Sequence, residues 1–472
     1  MEKRNRVEDL ISDFLQKYRI TIIDETENYV KIYMENENPY VLDNLKSLLQ
    51  KEVLIEKNVS LKDLNFNTSY LAKIKGTDGK DLEDLASEAP IVKLLNNIID
   101  RAIEKKATDI HFEPYESHTD VKFRIDGVLR SITNIPNYLY PAIISRIKIL
   151  AKLNIAEKRL PQDGKFIYKI NDKEYDIRVS TIPTIYGESV VLRILNKQDT
   201  NYSLDTLGFS KEHLKLIREF MNHSYGMILV TGPTGSGKTT TLYSILKELN
   251  TGKRKIITVE DPVEYTIPGI VQVQVNPKVG LTFSRALRTI LRQDPDIIMI
   301  GEIRDKETAE IAIRAALTGH LVLATLHTND AVSAFTRLID MGIEEFLVSS
   351  AVVGVISQRL VRKICNYCIE KYRPKEVEIK LFRRYNLDTP DILYKGMGCD
   401  KCEGEGYKGR TVIAEIVKVD DTIRQAIMNR ASASEIRKIC RNKGMKELIE
   451  DGLEKVKMGI TTLSEVIRVT NN

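Results

Sequence analysis

Residues 226–249 read GMILVTGPTGSGKTTTLYSILKEL, an apolar run, a glycine-rich turn and a helical stretch in immediate succession. Within it, Gly232-Pro233-Thr234-Gly235-Ser236-Gly237-Lys238-Thr239 satisfies the pattern Gly-x-x-x-x-Gly-Lys-Ser/Thr in full. The glycines let successive backbone N–H groups turn inward around phosphate oxygens, and the following helix adds the positive end of its dipole. On this reading Lys238 reaches the β- and γ-phosphates of ATP, and the Thr239 hydroxyl ligates Mg²⁺. A glycine-rich turn that merely precedes a helix needs neither of those two side chains. The order strand, turn, helix predicts an α/β fold with a parallel sheet and crossover helices.

Hydrolysis needs more than a phosphate cradle, because a metal ion and a water molecule must both be held. ITVEDPVEY (257–265) places Glu260 and Asp261 after the apolar run KIITV, and DPDIIMIGEIRD (294–305) places Glu302 after IIMI. Carboxyl ends of strands are where parallel sheets bind ligands. Gly301 stands where an aspartate commonly holds the metal, so Glu260 or Asp261 is expected to take that part. Glu302 is then left to orient or deprotonate water. The plainer reading is that these acids cap the helices that follow. TGHLVLATLHTND (318–330) delivers His327, Thr328 and Asn329 at the end of a third run, with His320 before it, and His327 suits a γ-phosphate sensor.

Around this core, 472 residues are enough for about three domains. With 42% hydrophobic and 29% charged residues the chain is of globular type, not disordered or fibrous. A net charge of +5 and no basic, aromatic-rich tract argue against direct contact with nucleic acid. The longest weakly polar stretch, Phe346 to Ile356, is too short to span a bilayer, and MEKRNRVEDL is too charged for a signal peptide. A cytoplasmic protein is expected.

The first 90 residues carry 13 basic and 18 acidic side chains, against 58 and 48 in the remainder. An acidic head on a basic body suggests a separate small α/β domain over 1–85, with strands in YRITIIDETENYVKIYM and a helix in VLDNLKSLLQ. DGKDLEDLASEAP marks its boundary. A middle region over 88–198 opens with an amphipathic helix and continues in strand-like runs such as DVKFRIDGVLR and EYDIRVSTIP. A linker over 199–208 leads to the ATPase region, 209–472.

All five cysteines lie beyond residue 360. Cys365-x-x-Cys368 and Cys399-x-x-Cys402 each bracket a tight turn, with 30 residues between the pairs. Two such knuckles meeting would give the closed S₄ site of structural zinc. Four unliganded thiols or a redox pair are the alternatives, and Cys440 reads as a buried apolar residue.

Together, GPTGSGKTTTLY, ITVEDPVEY, LRQDPDIIMIGEIRD and TGHLVLATLHTND closely resemble the secretion ATPase superfamily, and within it the assembly ATPases of type II secretion and type IV pili. KLNIAEKR, LPQDGK and IRVSTIP extend the resemblance over about 88–472. It implies a PAS-like middle domain, a RecA-like ATPase domain with a structural Zn²⁺, and a homo-hexamer with nucleotide sites at subunit boundaries. It further implies recruitment to the inner face of the cytoplasmic membrane through an inner-membrane platform protein, and through it action on pilins or pseudopilins. Position by position, Glu302 matches the catalytic glutamate and Glu260 the aspartate box. His320 to His327 match the histidine box. Arg178 in DIRVS and Arg193 in VLRIL match middle-domain arginines that approach the nucleotide, and Arg288, Arg292 and Arg304 match further basic positions. The N-terminus departs from the pattern: residues 19–70 resemble only the later part of the family's leading module, and its cyclic-di-GMP motif is not found.

Overall fold

A computed structural model describes residues 20–25, 29–34, 45–46, 52–55, 89–171, 173–196 and 203–470. Most of the acidic head, the boundary at 78–88 and the first part of the linker, 199–202, lie outside the described residues. In the head, β1 (Ile20–Glu25) pairs antiparallel with β2 (Tyr29–Met34), and β2 runs parallel to β3 (Glu52–Ile55). The chain divides into two compact units between Leu195 and Asn196.

In the first unit the helix Ala89–Glu104 precedes β4 (Asp109–Pro114), β5 (His118–Ile125) and β6 (Val128–Pro136). The helix Tyr140–Ala151 then leads to β7 (Gln162–Ile170), β8 (Lys173–Thr184) and β9 (Gly187–Asn196). These six strands form one sheet, ordered β6-β5-β4-β9-β8-β7. Alternate residues of β5 are buried, as an amphipathic strand with one dry face requires. Phe112, Phe123, Ile177 and Leu192 meet Ile98, Ile143 and Ile147 of the two helices in that dry layer.

The second unit is built on a seven-stranded sheet. Its strands are β10 (Gly226–Thr231), β11 (Ile256–Glu260), β12 (Val271–Gln274), β13 (Ile297–Ile300), β14 (Leu321–Leu326), β15 (Val352–Ile364) and β18 (Tyr407–Lys418). Between the last two, β16 (Ile369–Tyr372) and β17 (Leu393–Gly396) form a separate ribbon. The sheet order is β12-β11-β13-β14-β10-β15-β18, parallel except for the last pair. In β10, Met227 and Leu229 pack into one apolar cluster while Ile228 and Val230 pack into another on the opposite face. A strand buried on both faces has no reason to alternate, which explains the unbroken run MILV. Every residue of β10, β11, β13 and β14 is buried, so chemistry is left to their ends.

Candidate active site

The turn after β10 takes the conformation its glycines allow. Gly232, Gly235 and Gly237 have φ of 144°, 79° and 88°, and a Cβ on Gly232 would lie 2.5 Å from the Ser236 hydroxyl. Only glycine fits that turn. Lys238 opens the helix Lys238–Leu249, and its ammonium donates to the carbonyls of Gly232 (2.8 Å) and Pro233 (3.1 Å). Burial brings the ammonium down to about 8, with Glu302 opposing that shift and Arg359 reinforcing it. The Ser236 hydroxyl is buried inside the cradle and makes no hydrogen bond with the chain, a donor suited to a phosphate oxygen. Thr239 is exposed in the first helical turn, where a hydroxyl can meet a metal ion.

Three adjacent strands deliver the rest. β14 lies between β10 and β13, so the strand carrying His327 separates the strand of Lys238 from that of Glu302. His327 Nε2 lies 3.5 Å from Glu302, whose other oxygen pairs with Arg304. Burial, and then the charge of Lys238, hold the His327 pKa below its ordinary value, so the ring is neutral near pH 7. Neutral imidazole beside a carboxylate can pass or accept a proton. His320 sits at the other end of β14, its Nδ1 3.0 Å from the Ala315 carbonyl, away from this cluster.

Glu260 ends β11, but it is enclosed. Its carboxylate accepts hydrogen bonds from Tyr243, Thr258 (2.5 Å) and Gln272 (3.1 Å), and only 3% of the residue is exposed. Both oxygens are occupied by side-chain donors, which suits Glu260 to orienting a metal-bound water better than to touching the ion. Asp261 beside it is exposed. A Cβ on Gly301 would press on the Glu260 Cα at 3.3 Å, which gives a packing reason for glycine at that position.

The four cysteines meet. Cys365 lies 3.9 Å from Cys399, and Cys402 lies 3.7 Å from both Cys368 and Cys399, sulfur to sulfur. A tetrahedron with Zn–S arms of about 2.3 Å has edges of about 3.8 Å, so this donor set fits a zinc ion. Backbone N–H groups of Cys399 and Gly406, each 3.2 Å from the Cys402 sulfur, supply the outer hydrogen bonds that thiolate ligands take. The intervening chain forms the β16–β17 ribbon and the helix Glu376–Arg384. Cys440 is buried in the helix Ala433–Asn442.

A family model described as "Type II/IV secretion system protein" matches residues 84–468. The chain belongs to that family. Type II secretion system protein E of Xanthomonas campestris pv. campestris is 52% identical over 397 residues, covering 84% of this chain and 70% of that one. The type IV pilus assembly ATPase PilB of Thermus thermophilus is 52% identical over 387 residues, and the match spans only 43% of its length. The solved structure of the pilus retraction motor PilT with bound ADP is similar over 80% of this chain and 96% of PilT, at 27% identity and a TM-score of 0.53. The Legionella pneumophila ATPase DotB, at 22% identity and a TM-score of 0.60, shares the fold over 80% of this chain and 95% of its own. This type II/IV secretion system protein is therefore an ATP-hydrolysing enzyme with a RecA-like P-loop fold.

In this secretion-system ATPase, Arg178 and Arg193 sit on β8 and β9, neighbours in the sheet of the first unit, on the face opposite the dry one. Arg193 Nε donates to the buried Asp109 at 2.9 Å, and Arg124 lies 3.6 Å from the same carboxylate. In the second unit Arg288 pairs with Glu307, while Arg292 donates to the Arg288 carbonyl at 2.9 Å.

Sequence reasoning missed the residues that brace the site. Gln358 on β15 donates to the Ser236 carbonyl and accepts from Thr241, both at 2.8 Å, and Arg359 donates to the Asn329 carbonyl at 2.7 Å. The one signal was a polar pair, Gln-Arg, inside the apolar run VVGVISQRLV.

Proposed function

We propose that this chain is the cytoplasmic ATPase motor of a type IV pilus or type II secretion machine. It would work as a homo-hexameric ring that drives pilin or pseudopilin assembly through an inner-membrane platform protein. The observation that carries this reading is the convergence of Lys238, Glu302 and His327 at the ends of β10, β13 and β14, in a chain half identical to a type II secretion protein E and to PilB. No helix among the described residues is long and apolar enough to cross a membrane, which agrees with recruitment through partners.

Residues 232–239 cradle the phosphates, and Lys238 offsets charge on the β- and γ-phosphates. Thr239 and, through water, Glu260 would hold Mg²⁺, which screens phosphate charge when bound. Glu302 takes the proton of the attacking water, and neutral His327, in contact with Glu302, senses the γ-phosphate and holds that carboxylate in place. Arg178 and Arg193, which match family arginines that approach the nucleotide, would add positive charge at the transferring phosphoryl group. Cys365, Cys368, Cys399 and Cys402 hold one structural Zn²⁺.

A protein that only switches on ATP binding needs no acid to position water. Phosphate release from Mg-ATP by the full chain should therefore fall at least about 100-fold in Glu302→Gln, the usual scale for losing a general base. Equal release by both proteins would reduce the reading to a nucleotide-binding switch.

A further inference from the structure

Gln358 and Arg359 are consecutive on β15, yet they grip different loops. β15 pairs with β10 up to Ser357 opposite Thr231, so the next residue stands level with the phosphate cradle. Gln358 is fully buried, and both ends of its amide are used. Nε2 donates to the Ser236 carbonyl within the cradle, and Oε1 accepts from Thr241 in the first turn of the helix that follows. Its own carbonyl packs against Gly232, close enough that a Cβ there would lie 2.6 Å away. An amide carries donors on its nitrogen and an acceptor on its oxygen, and here each end meets a partner of the opposite kind.

Arg359 turns the other way. Only 7% of it is exposed, and it makes no ion pair among the described residues, an unusual state for a guanidinium. It donates to two carbonyls instead, Gln358 (3.1 Å) and Asn329 (2.7 Å). Asn329 follows His327 by two residues. The same loop is held from β18, where Glu415 accepts from the Ala331 N–H at 3.0 Å, and from Arg437, which pairs with Asp330 at 2.8 Å.

We propose that Gln358 and Arg359 are positioning residues for hydrolysis: Gln358 shapes the phosphate cradle, and Arg359 sets the loop that carries His327. This inference rests on the assignment of Lys238, Glu302 and His327 to the active site. It predicts that two neighbouring residues give opposite kinetic signatures. A distorted cradle weakens nucleotide in ground state and transition state alike, whereas a displaced His327 affects turnover alone.

The test uses the full chain, with N-methylanthraniloyl-ADP as binding probe and phosphate release as the rate. Gln358→Met should raise Kd and KM on the order of tenfold, the scale of one or two lost hydrogen bonds, with kcat within about twofold. Thr241→Val removes the partner of Oε1 with little change of shape and should give the same signature if Gln358→Met does not fold. Arg359→Gln should lower kcat on the order of tenfold or more with a clearly smaller change in Kd, and Arg359→Lys should recover part of the kcat loss by keeping a donor for Asn329. A purely structural role would shift Tm and move Kd and kcat together in every variant, or move neither, and either pattern overturns the proposal. If Glu302→Gln loses turnover while Arg359→Gln keeps it, the active-site assignment stands and this inference alone fails.

Discussion

β5 and β10 belong to sheets that treat water differently. In β5, HTDVKFRI, every second side chain is dry, and Lys122 and Arg124 stand on the open face. In β10, GMILVT, every position is buried, and the first residues able to meet a ligand come after the strand has ended. A side chain on an open face can act only on whatever approaches it, and Arg178 and Arg193 are placed in that way. Lys238, Glu302 and His327 instead follow buried strands, with Glu302 mostly covered and His327 half exposed beside it, so they stand within a setting the unit itself provides.

The sharpest way to break this contrast is Lys238→Ala. It removes the cradle's own cation, and phosphate release should fall below detection; preserved turnover would sink the strand-end assignment. Next in size, Arg178→Ala and Arg193→Ala should each lower turnover on the order of 10³-fold while binding of a fluorescent ADP analogue survives, as removal of an arginine finger does. Parent-like rates would leave Arg178 and Arg193 as ordinary charges of the open face.

The cysteine cluster belongs to neither pattern, since four turn residues gain their purpose from one another. Metal analysis of the purified chain should find about one zinc per chain, lost in Cys365→Ser and retained in Cys440→Ser. Absence of zinc from parent protein prepared without chelators would remove that site. The smallest effects are on stability. Leu229→Ala in β10 should cost about 2–5 kcal/mol by urea denaturation. Lys122→Ala on the open face, which loses partly exposed contacts with Glu113, Asp120 and Tyr115, should cost less, on the order of 1 kcal/mol. Similar losses at both positions would mean that the two sheets are packed more alike than their burial indicates.

Much of this was legible in the residues alone. The cradle from Gly232 to Thr239 is a local object, with each requirement met by a residue type at a fixed spacing. The alternation in β5 and its lack in β10 follow from which faces are covered. Strand order was legible only in part: LVLATL reads as a strand beside the nucleotide-bearing ones, but nothing in TGHLVLATLHTND says that β14 lies between β10 and β13, because crossover connections leave no mark on the strands they join. The enclosure of Glu260 was hidden for a related reason, since its donors Tyr243 and Gln272 lie 17 and 12 residues away in sequence. Gln358 is the extreme case. Its partners Thr241 and Ser236 are 117 and 122 residues distant, so only the folded sheet brings them together.

The cysteine knuckles also bear on how β18 keeps its place. β18 is the edge strand of the seven-stranded sheet and pairs with β15 alone, Ser357 opposite Glu415 and Ile364 opposite Tyr407. Cys365 and Cys368 follow the end of that ladder, and Cys399 and Cys402 precede it, with Cys365 and Cys399 34 residues apart. An edge strand that slips by one residue turns every side chain to the opposite face, and Glu415 would then leave Ala331. With an ion bound by the four sulfurs, the two strands are pinned at their open end like a zip held by its stop. Slippage would then require breaking a metal–thiolate bond rather than a row of exchangeable backbone hydrogen bonds, and the cysteine site would in that way fix where the His327 loop is anchored.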